Sequence, residues 1–189
     1  MSDTVLCVDL PPWAIERERE HPVLPTERDR IRFAIALARQ NVRAGTGGPF
    51  GAVVVEDDAG RLVAAGVNSV VRLGSSSLHA EMVAFIRAQR RIGHYSLAGP
   101  GRPSQVLYAS CDPCAMCLAA ALSAGVRSIV CAASRDDAMA LGFDEGPVFP
   151  ESYAYLRQRG IDVRHGVLRD EAKDVLEEYR ARGGVIYNA

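Results

Sequence analysis

Two cysteines and one histidine are the residues of this chain best suited to bind a metal ion. Cys114 and Cys117 lie three residues apart directly after Pro113, so they share one face at a point where a helix can begin. His79 lies at the start of another helical pattern, "HAEMVAFIRAQRRI". Two thiolates and one imidazole are three ligands for tetrahedral zinc, and they leave the fourth position for water. We therefore predict a Zn²⁺ site at His79, Cys114 and Cys117, of the open kind that zinc enzymes use.

A carboxylate close to the histidine indicates what such a zinc site would do. Glu81 comes two residues after His79, and a carboxylate beside zinc-bound water can carry a proton during hydrolysis. A CxxC pair taken alone is also typical of redox and structural sites. A zinc-stabilised binding domain without catalysis is thus a competing interpretation, but it leaves Glu81 without a role.

The full pattern, H-x-E followed by P-C-x-x-C, occurs in zinc-dependent nucleobase deaminases. Through "HAE", "PCAMC" and "GPFGAVVV" (48–55) the chain resembles the cytidine and deoxycytidylate deaminase superfamily over roughly residues 26–166. It is most similar to the bacterial zinc-dependent guanine deaminases, because it also contains "FDEGP" (143–147) and ends in "GVIYNA" (184–189). The resemblance implies an aminohydrolase that deaminates a purine base, guanine to xanthine and ammonia.

The resemblance further implies that two glutamates carry protons. Glu81 would move a proton from water to a ring nitrogen, and Glu145, in "FDEGP", would protonate the departing amine. Gly142 and Gly146 flank this segment and permit an unusual backbone turn that could direct an acid inward. The alternative is an exposed turn carboxylate, since Asp-Glu-Gly is ordinary turn composition. Glu145 is preferred to Asp144 because it matches the carboxylate of the family and reaches further.

Three further residues are expected to contact the substrate. By the resemblance, Phe50 and His79 would sandwich the base, and Asn68 would hydrogen-bond its polar edge. Tyr187 would add a contact from the C-terminal tail, which would cover the pocket of its own or a neighbouring subunit; a tail that is simply packed on the surface is the open alternative. The role of Asp112, which stands where relatives usually have Glu, stays open.

Charge and cysteine content favour some partners and locations over others. The net charge is −1, and Lys173 is the only lysine, so no overall positive field attracts nucleic acid or a membrane. A tRNA adenosine deaminase is therefore the less favoured alternative, and cytosine or another aminated heterocycle, including triazines, stays open as substrate. Five cysteines without a signal-peptide pattern favour a cytoplasmic protein without disulfides. Cys111 is then expected to be a small buried residue, and the resemblance favours a homodimer.

The remaining pattern predicts the elements that must position these residues. Helical spacing alternates with strand-like segments, which is typical of a layered α/β domain. We predict a three-layer α/β/α cytidine-deaminase-like domain with a central mixed sheet at 26–183, an N-terminal extension at 1–25, and a tail at 184–189 that could act as a lid. Thr26 is expected to cap its helix with an acid at the third helical position. Helices are predicted at 12–20, 26–45, 79–92, 114–126, 151–160 and 171–182, and strands within 51–70, with a turn at 57–60, and at 105–110, 127–134 and 161–167.

Overall fold

A computed structural model describes residues 8–188 of the chain. Its strands are β1 (Gly51–Glu56), β2 (Leu62–Val67), β3 (Gln105–Cys111), β4 (Ser128–Ala133) and β5 (Asp162–Arg164). They form one sheet in the order β2-β1-β3-β4-β5. β1 is antiparallel to both β2 and β3, whereas β3, β4 and β5 run parallel. The predicted central mixed sheet is therefore confirmed.

Helices cover both faces of this sheet. In chain order they are α1 (Pro12–Glu20), α2 (Glu27–Arg43), α3 (Val70–Leu73), α4 (Ala80–Ile92), α5 (Ala115–Ala124), α6 (Arg135–Met139), α7 (Pro150–Gln158) and α8 (Arg169–Ala181). Successive residues of β1 point to opposite faces. Val53 and Val55 join a buried cluster with α2 and α8, while Ala52 and Val54 join another with α4 and α5. The three-layer α/β/α architecture is thus confirmed.

The start of α2 follows the predicted capping signal. Thr26 is the N-cap, and its hydroxyl accepts a hydrogen bond from the Asp29 backbone N–H at 3.1 Å. The Asp29 carboxylate in turn accepts one from the Thr26 backbone N–H at 3.1 Å. This reciprocal capping box satisfies two backbone donors that a helix start otherwise leaves unpaired.

The N-termini of α4 and α5 lie close together at the carboxyl end of β3, the central strand. α4 lies so close to β2 that a Cβ at Gly66 would be 2.1 Å from the Ala80 carbonyl oxygen, so only glycine allows this approach. α5 follows directly after β3, with Cys114 as its N-cap, and His79 is the N-cap of α4. The expectation that Cys114 lies within the first helical turn is therefore wrong by one position, because its backbone is extended.

The structure differs from the sequence-based elements in three places. α3 and α6 were not predicted, because helices of four and five residues are too short to show a helical period. β5 spans only Asp162–Arg164 and is shorter than the predicted strand at 161–167. The tail has no helix or strand over 184–188, and residues 1–7 and 189 lie outside the described residues. The proposed division at 25/26 and 183/184 stays a prediction.

Candidate active site

The three predicted metal ligands lie together where α4 and α5 begin. Cys114 Sγ is 3.5 Å and Cys117 Sγ is 3.7 Å from His79 Nδ1, and all three ligand atoms lie within 4.8 Å of one another. Ligands bonded to tetrahedral zinc at usual lengths are about 3.6 Å apart. The residues therefore fit a zinc ion without rearrangement.

The surroundings of the two thiols differ. Hydrogen bonds from the Cys117 thiol and from His79 lower the pKa of Cys114 to about 4, so its thiolate is favoured. The hydrogen bond to Cys114, together with burial, raises the pKa of Cys117. Both thiols face the positive end of the α5 dipole, which favours negative charge. Cys111 lies outside this group, and its thiol donates to the Ser134 carbonyl oxygen at 3.5 Å.

Two buried carboxyl groups share the cavity with these ligands. Glu81 and Glu145 are each only 7% exposed, although neither has a basic side chain as an ion-pair partner among the described residues. Burial and the Cys114 thiolate raise the pKa of Glu81 to about 7. Burial, Cys114 and the Glu81 charge raise that of Glu145 to about 8. Paired acids with raised pKa values in an enclosed site are typical of proton-transfer chemistry.

The loop after α6 directs Glu145 inward. Gly142 and Gly146 adopt φ of +104° and +68°, a region that favours glycine. The Glu145 carbonyl oxygen accepts a hydrogen bond from the Ala115 N–H at 3.0 Å, which ties the loop to the start of α5. Asp144 is exposed, and its carboxylate accepts from the Gly146 N–H at 2.8 Å. The two neighbouring acids thus face opposite environments.

A small cavity is enclosed between these groups and the tail. It leaves only about 10 Å³ open to the centre of a water molecule, which is room for about one water. A purine therefore requires the wall to move. The predicted site residues other than Cys117 line this cavity: Phe50, Asn68, His79, Glu81, Cys114, Glu145 and Tyr187.

Asn68 is held rigidly at this wall. It is fully buried, and its Oδ1 accepts from the backbone N–H groups of Gly48 and Val70 at 3.4 and 3.3 Å. Its Nδ2 donates to Tyr187 Oη at 2.7 Å. A Cβ at Gly48 would lie 2.9 Å from the Tyr187 ring, so glycine leaves the space that this tyrosine occupies.

Comparison with known proteins identifies the family. Residues 25–133 match the cytidine and deoxycytidylate deaminase zinc-binding region. The chain belongs to the cytidine and deoxycytidylate deaminase family. It is a zinc-dependent deaminase, and the resemblance drawn from "HAE" and "PCAMC" is confirmed.

Several relatives of this deaminase extend the likeness. Guanine deaminase from Bacillus subtilis (strain 168) is 39% identical over 121 residues, which are 64% of this chain and 73% of that protein. A structure of guanine deaminase from Nitrosomonas europaea is 41% identical and covers 96% of this chain and 99% of that one, with a TM-score of 0.91. A tRNA-specific adenosine deaminase from Buchnera aphidicola is 26% identical over 157 residues, 82% of this chain and 96% of that protein.

Sequence reasoning missed two residues that line the cavity of this deaminase, Phe143 and Asn188. The Phe143 ring packs edge-on against Phe50, with centroids 5.1 Å apart, and lies 5.2 Å from the ring of Tyr187. The only available signal for Phe143 was its place in "FDEGP". The only available signal for Asn188 was its place in "GVIYNA", because its neighbours in the fold are far away along the chain.

Asp112, whose role the sequence left open, also lines the cavity. Its Oδ1 lies 2.8 Å from Nδ1 of the half-exposed His165. Cys131 completes a group of three potential ligand atoms within 4.8 Å of one another. Asp112 and His165 are in short contact, and Cys131 is fully buried. These observations favour a hydrogen-bonded group formed by the three side chains.

Among the described residues, no helix is both long and apolar enough to cross a lipid bilayer.

Proposed function

We propose that this deaminase hydrolyses guanine to xanthine and ammonia. The single observation that carries the proposal is the enclosure of two buried carboxyl groups, Glu81 and Glu145, beside the set of His79, Cys114 and Cys117. Full-length likeness to the guanine deaminase of Nitrosomonas europaea, at 41% identity, supports guanine as the base. A small-molecule nucleobase also suits a closed cavity better than a polymer does.

The reaction replaces the amine of guanine by oxygen from water. Zinc held by His79, Cys114 and Cys117 would supply a Lewis acid that lowers the pKa of coordinated water from 15.7 toward about 7. Glu81 accepts a proton from the attacking water and passes it to the neighbouring ring nitrogen. Glu145 donates the proton with which the amine leaves as ammonia, and it regains a proton from the added oxygen as that oxygen becomes the new carbonyl. One C–O bond forms and one C–N bond breaks.

The other wall residues bind and orient the base. Phe50 stacks on one face of the ring and His79 on the other. Asn68 hydrogen-bonds the polar edge, since its fixed side chain offers an N–H donor. Tyr187 contacts the base from the tail and excludes water when the tail is closed. Because the cavity is too small for a purine in the closed form, the tail opens to admit substrate.

A tRNA adenosine deaminase is the second candidate. The likeness to tRNA-specific adenosine deaminases, such as the Buchnera enzyme at 26% identity, supports it. Tyr187 and Asn188 wall off the cavity on the side of the tail, and a polynucleotide strand would have to pass this wall. The net charge of −1 provides little attraction for phosphates.

We further propose that the protein is a cytoplasmic homodimer. Every residue of α5 except Ser123 is apolar, and a helix that is apolar all round is normally buried. Yet only one side of α5 is buried within the chain, and its other apolar residues are partly or fully exposed: Ala115, Met116, Ala119, Ala120 and Leu122. A second copy of the chain would cover this side. Light scattering that yields the monomer mass would contradict the dimer.

Ammonia release tests the proposed reaction. Guanine, adenine, cytosine and their nucleosides are offered to zinc-loaded protein, and we expect ammonia from guanine at the highest rate, with xanthine as the second product. A protein that binds zinc but leaves all these compounds unchanged would overturn the substrate assignment. A salt-dependent gel shift with tRNA would favour the second candidate.

A further inference from the structure

The side chain of Asn188 ties the end of the tail to the loop that carries Glu145. Its Nδ2 donates to the Asp144 carbonyl oxygen at 2.6 Å. In the opposite direction, the Asp144 N–H donates to the Asn188 carbonyl oxygen at 3.1 Å. The two segments are 44 residues apart in the chain, so this paired contact exists only when the tail lies in place.

The same contact determines which way the Asn188 amide points. A flipped amide would bring its oxygen against the Asp144 carbonyl oxygen, and two acceptors repel each other. The bond from Nδ2 therefore leaves Oδ1 on the other side of the amide. This Oδ1 is buried and has no hydrogen-bond partner among the described residues, although Asn188 lines the cavity. A buried acceptor without a donor destabilises the protein unless a ligand supplies one.

Asn68 has the other side-chain amide that lines the cavity, and its oxygen already accepts hydrogen bonds from the protein. Asn68 Oδ1 accepts from two backbone N–H groups, those of Gly48 and Val70. Asn68 can therefore offer a substrate only its N–H donor. The carboxyl groups of Glu81 and Glu145 are assigned to proton transfer. Asn188 Oδ1 is thus a neutral side-chain acceptor at the cavity that has no hydrogen-bond donor among the described residues.

We propose that Asn188 Oδ1 accepts a hydrogen bond from a ring N–H of the substrate base and so helps to select it. The inference rests on the proposed function, because it takes a purine base as the occupant of the cavity. A base such as guanine carries both acceptors and ring N–H donors along its edges. Asn68 as donor and Asn188 as acceptor complement these two kinds of group. A base that lacks the required N–H would leave Oδ1 unpaired and be rejected.

The contact is tested by comparing several bases as substrates of the parent protein and of variants at Asn188. The bases are guanine and three analogues that each cannot present an N–H at one ring position: N1 is blocked by methylation, and N7 or N9 is replaced by carbon, which leaves the five-membered-ring N–H fixed on the other nitrogen. The variants are Asn188→Ala and Asn188→Leu, and leucine keeps the branched shape and the number of heavy atoms of the side chain while removing the acceptor. Val185→Ala, at an exposed tail position, is the matched control. The measured quantity is the ratio of kcat/KM for guanine to kcat/KM for each analogue.

The expected result is a change in one ratio only. With the parent protein, kcat/KM for one analogue should be lower than kcat/KM for guanine by at least about tenfold, the scale of an unpaired buried acceptor. This loss in kcat/KM is the penalty for the missing N–H. In both Asn188 variants this penalty should fall to about twofold, while the Val185→Ala control keeps it. Equal penalties in parent and variants would overturn the proposal, and so would relief by alanine alone, which would indicate steric crowding.

Binding measurements separate this proposal from the proposed reaction. Calorimetric dissociation constants of the same four bases are measured on zinc-loaded protein that carries Glu81→Gln in the parent and in each variant, so that no turnover disturbs the binding equilibrium. Selective loss of the penalty in the Asn188 variants supports the contact even if guanine is not hydrolysed. If guanine is hydrolysed and no penalty depends on Asn188, the proposed function stands and the contact is wrong.

Discussion

Asn68 Nδ2 donates a hydrogen bond to Tyr187 Oη at 2.7 Å across 119 residues of sequence. The bond joins a rigid residue at the end of β2 to the C-terminal tail, and it closes the cavity between them. Because Asn68 is fully buried and its oxygen is engaged elsewhere, its N–H group is the one that changes partner when a base enters.

Zinc binding is predicted to depend on three residues. Cys114→Ser, Cys117→Ser and His79→Ala should each lose the metal, because two remaining ligands do not complete a protein zinc site. Cys111→Ser should keep it, since the Cys111 thiol bonds to Ser134. Zinc per chain is measured by plasma mass spectrometry after dialysis. Metal retained by the Cys114 or Cys117 variant, or lost by the Cys111 variant, would contradict the ligand assignment.

Replacement of Glu81 should separate catalysis from metal binding. Glu81→Gln preserves the shape of the side chain but cannot transfer a proton, so kcat should fall by at least about 10²-fold. Zinc content should equal that of the parent protein, because Glu81 is not one of the three ligands. Turnover close to that of the parent would assign the proton transfer to another group.

The two neighbouring acids of the "FDEGP" segment should behave differently. Glu145→Ala should reduce guanine turnover by about 10² or more while zinc content and folding are unchanged. Asp144→Ala is the matched control and should have the smaller effect, because its carboxylate is exposed and bonds only to the Gly146 N–H among the described residues. Guanine deamination by the Glu145 variant at the parent rate would remove it from the mechanism.

The tail should act on substrate binding more than on stability. Deletion of residues 184–189 removes Tyr187 and Asn188 from the cavity wall, so KM for guanine should rise or activity be lost. The domain should stay folded, as circular dichroism would show, because the deleted segment contributes neither helix nor strand. Tyr187→Phe is the milder test, as it removes only the hydroxyl bonded to Asn68. Parent kinetics after the deletion would indicate a tail that is merely packed on the surface.

One ion pair should make stability depend on pH. Hydrogen bonds from Arg169 hold the pKa of Asp137 below its usual range, so the pair stabilises the fold above the unfolded-state pKa of about 3.9. This contribution is lost as pH falls below that value toward the lower folded-state pKa. Arg169→Ala should therefore lower the melting temperature at pH 7, and the difference from the parent should shrink below about pH 4. Arg180→Ala, which breaks an exposed pair with Glu177, is the control and should change little.

The sequence by itself determined the chemistry of the metal centre and the class of fold. Cys114, Cys117 and Pro113 lie within one turn of chain, so their shared face follows from local geometry. The capping of α2 by Thr26 and Asp29 is equally local. The longer helices were recognisable by the helical spacing of their apolar residues, and the strands by short apolar segments, buried at every position in β1 and β3, between turn residues. Helices of one turn, such as α3, lack such a period and are formed by their surroundings.

Tertiary structure alone decided which distant groups share the cavity. Phe143 meets Phe50 and Tyr187, and Asn188 meets Asp144, only because the loop after α6 and the tail cross the ends of the strands. His165 reaches Asp112 because β5 lies beside β4 in the sheet. The physical reason is common to all of these contacts: a pattern along the chain reports which face of an element is buried, whereas the partner on that face depends on packing between elements remote in sequence.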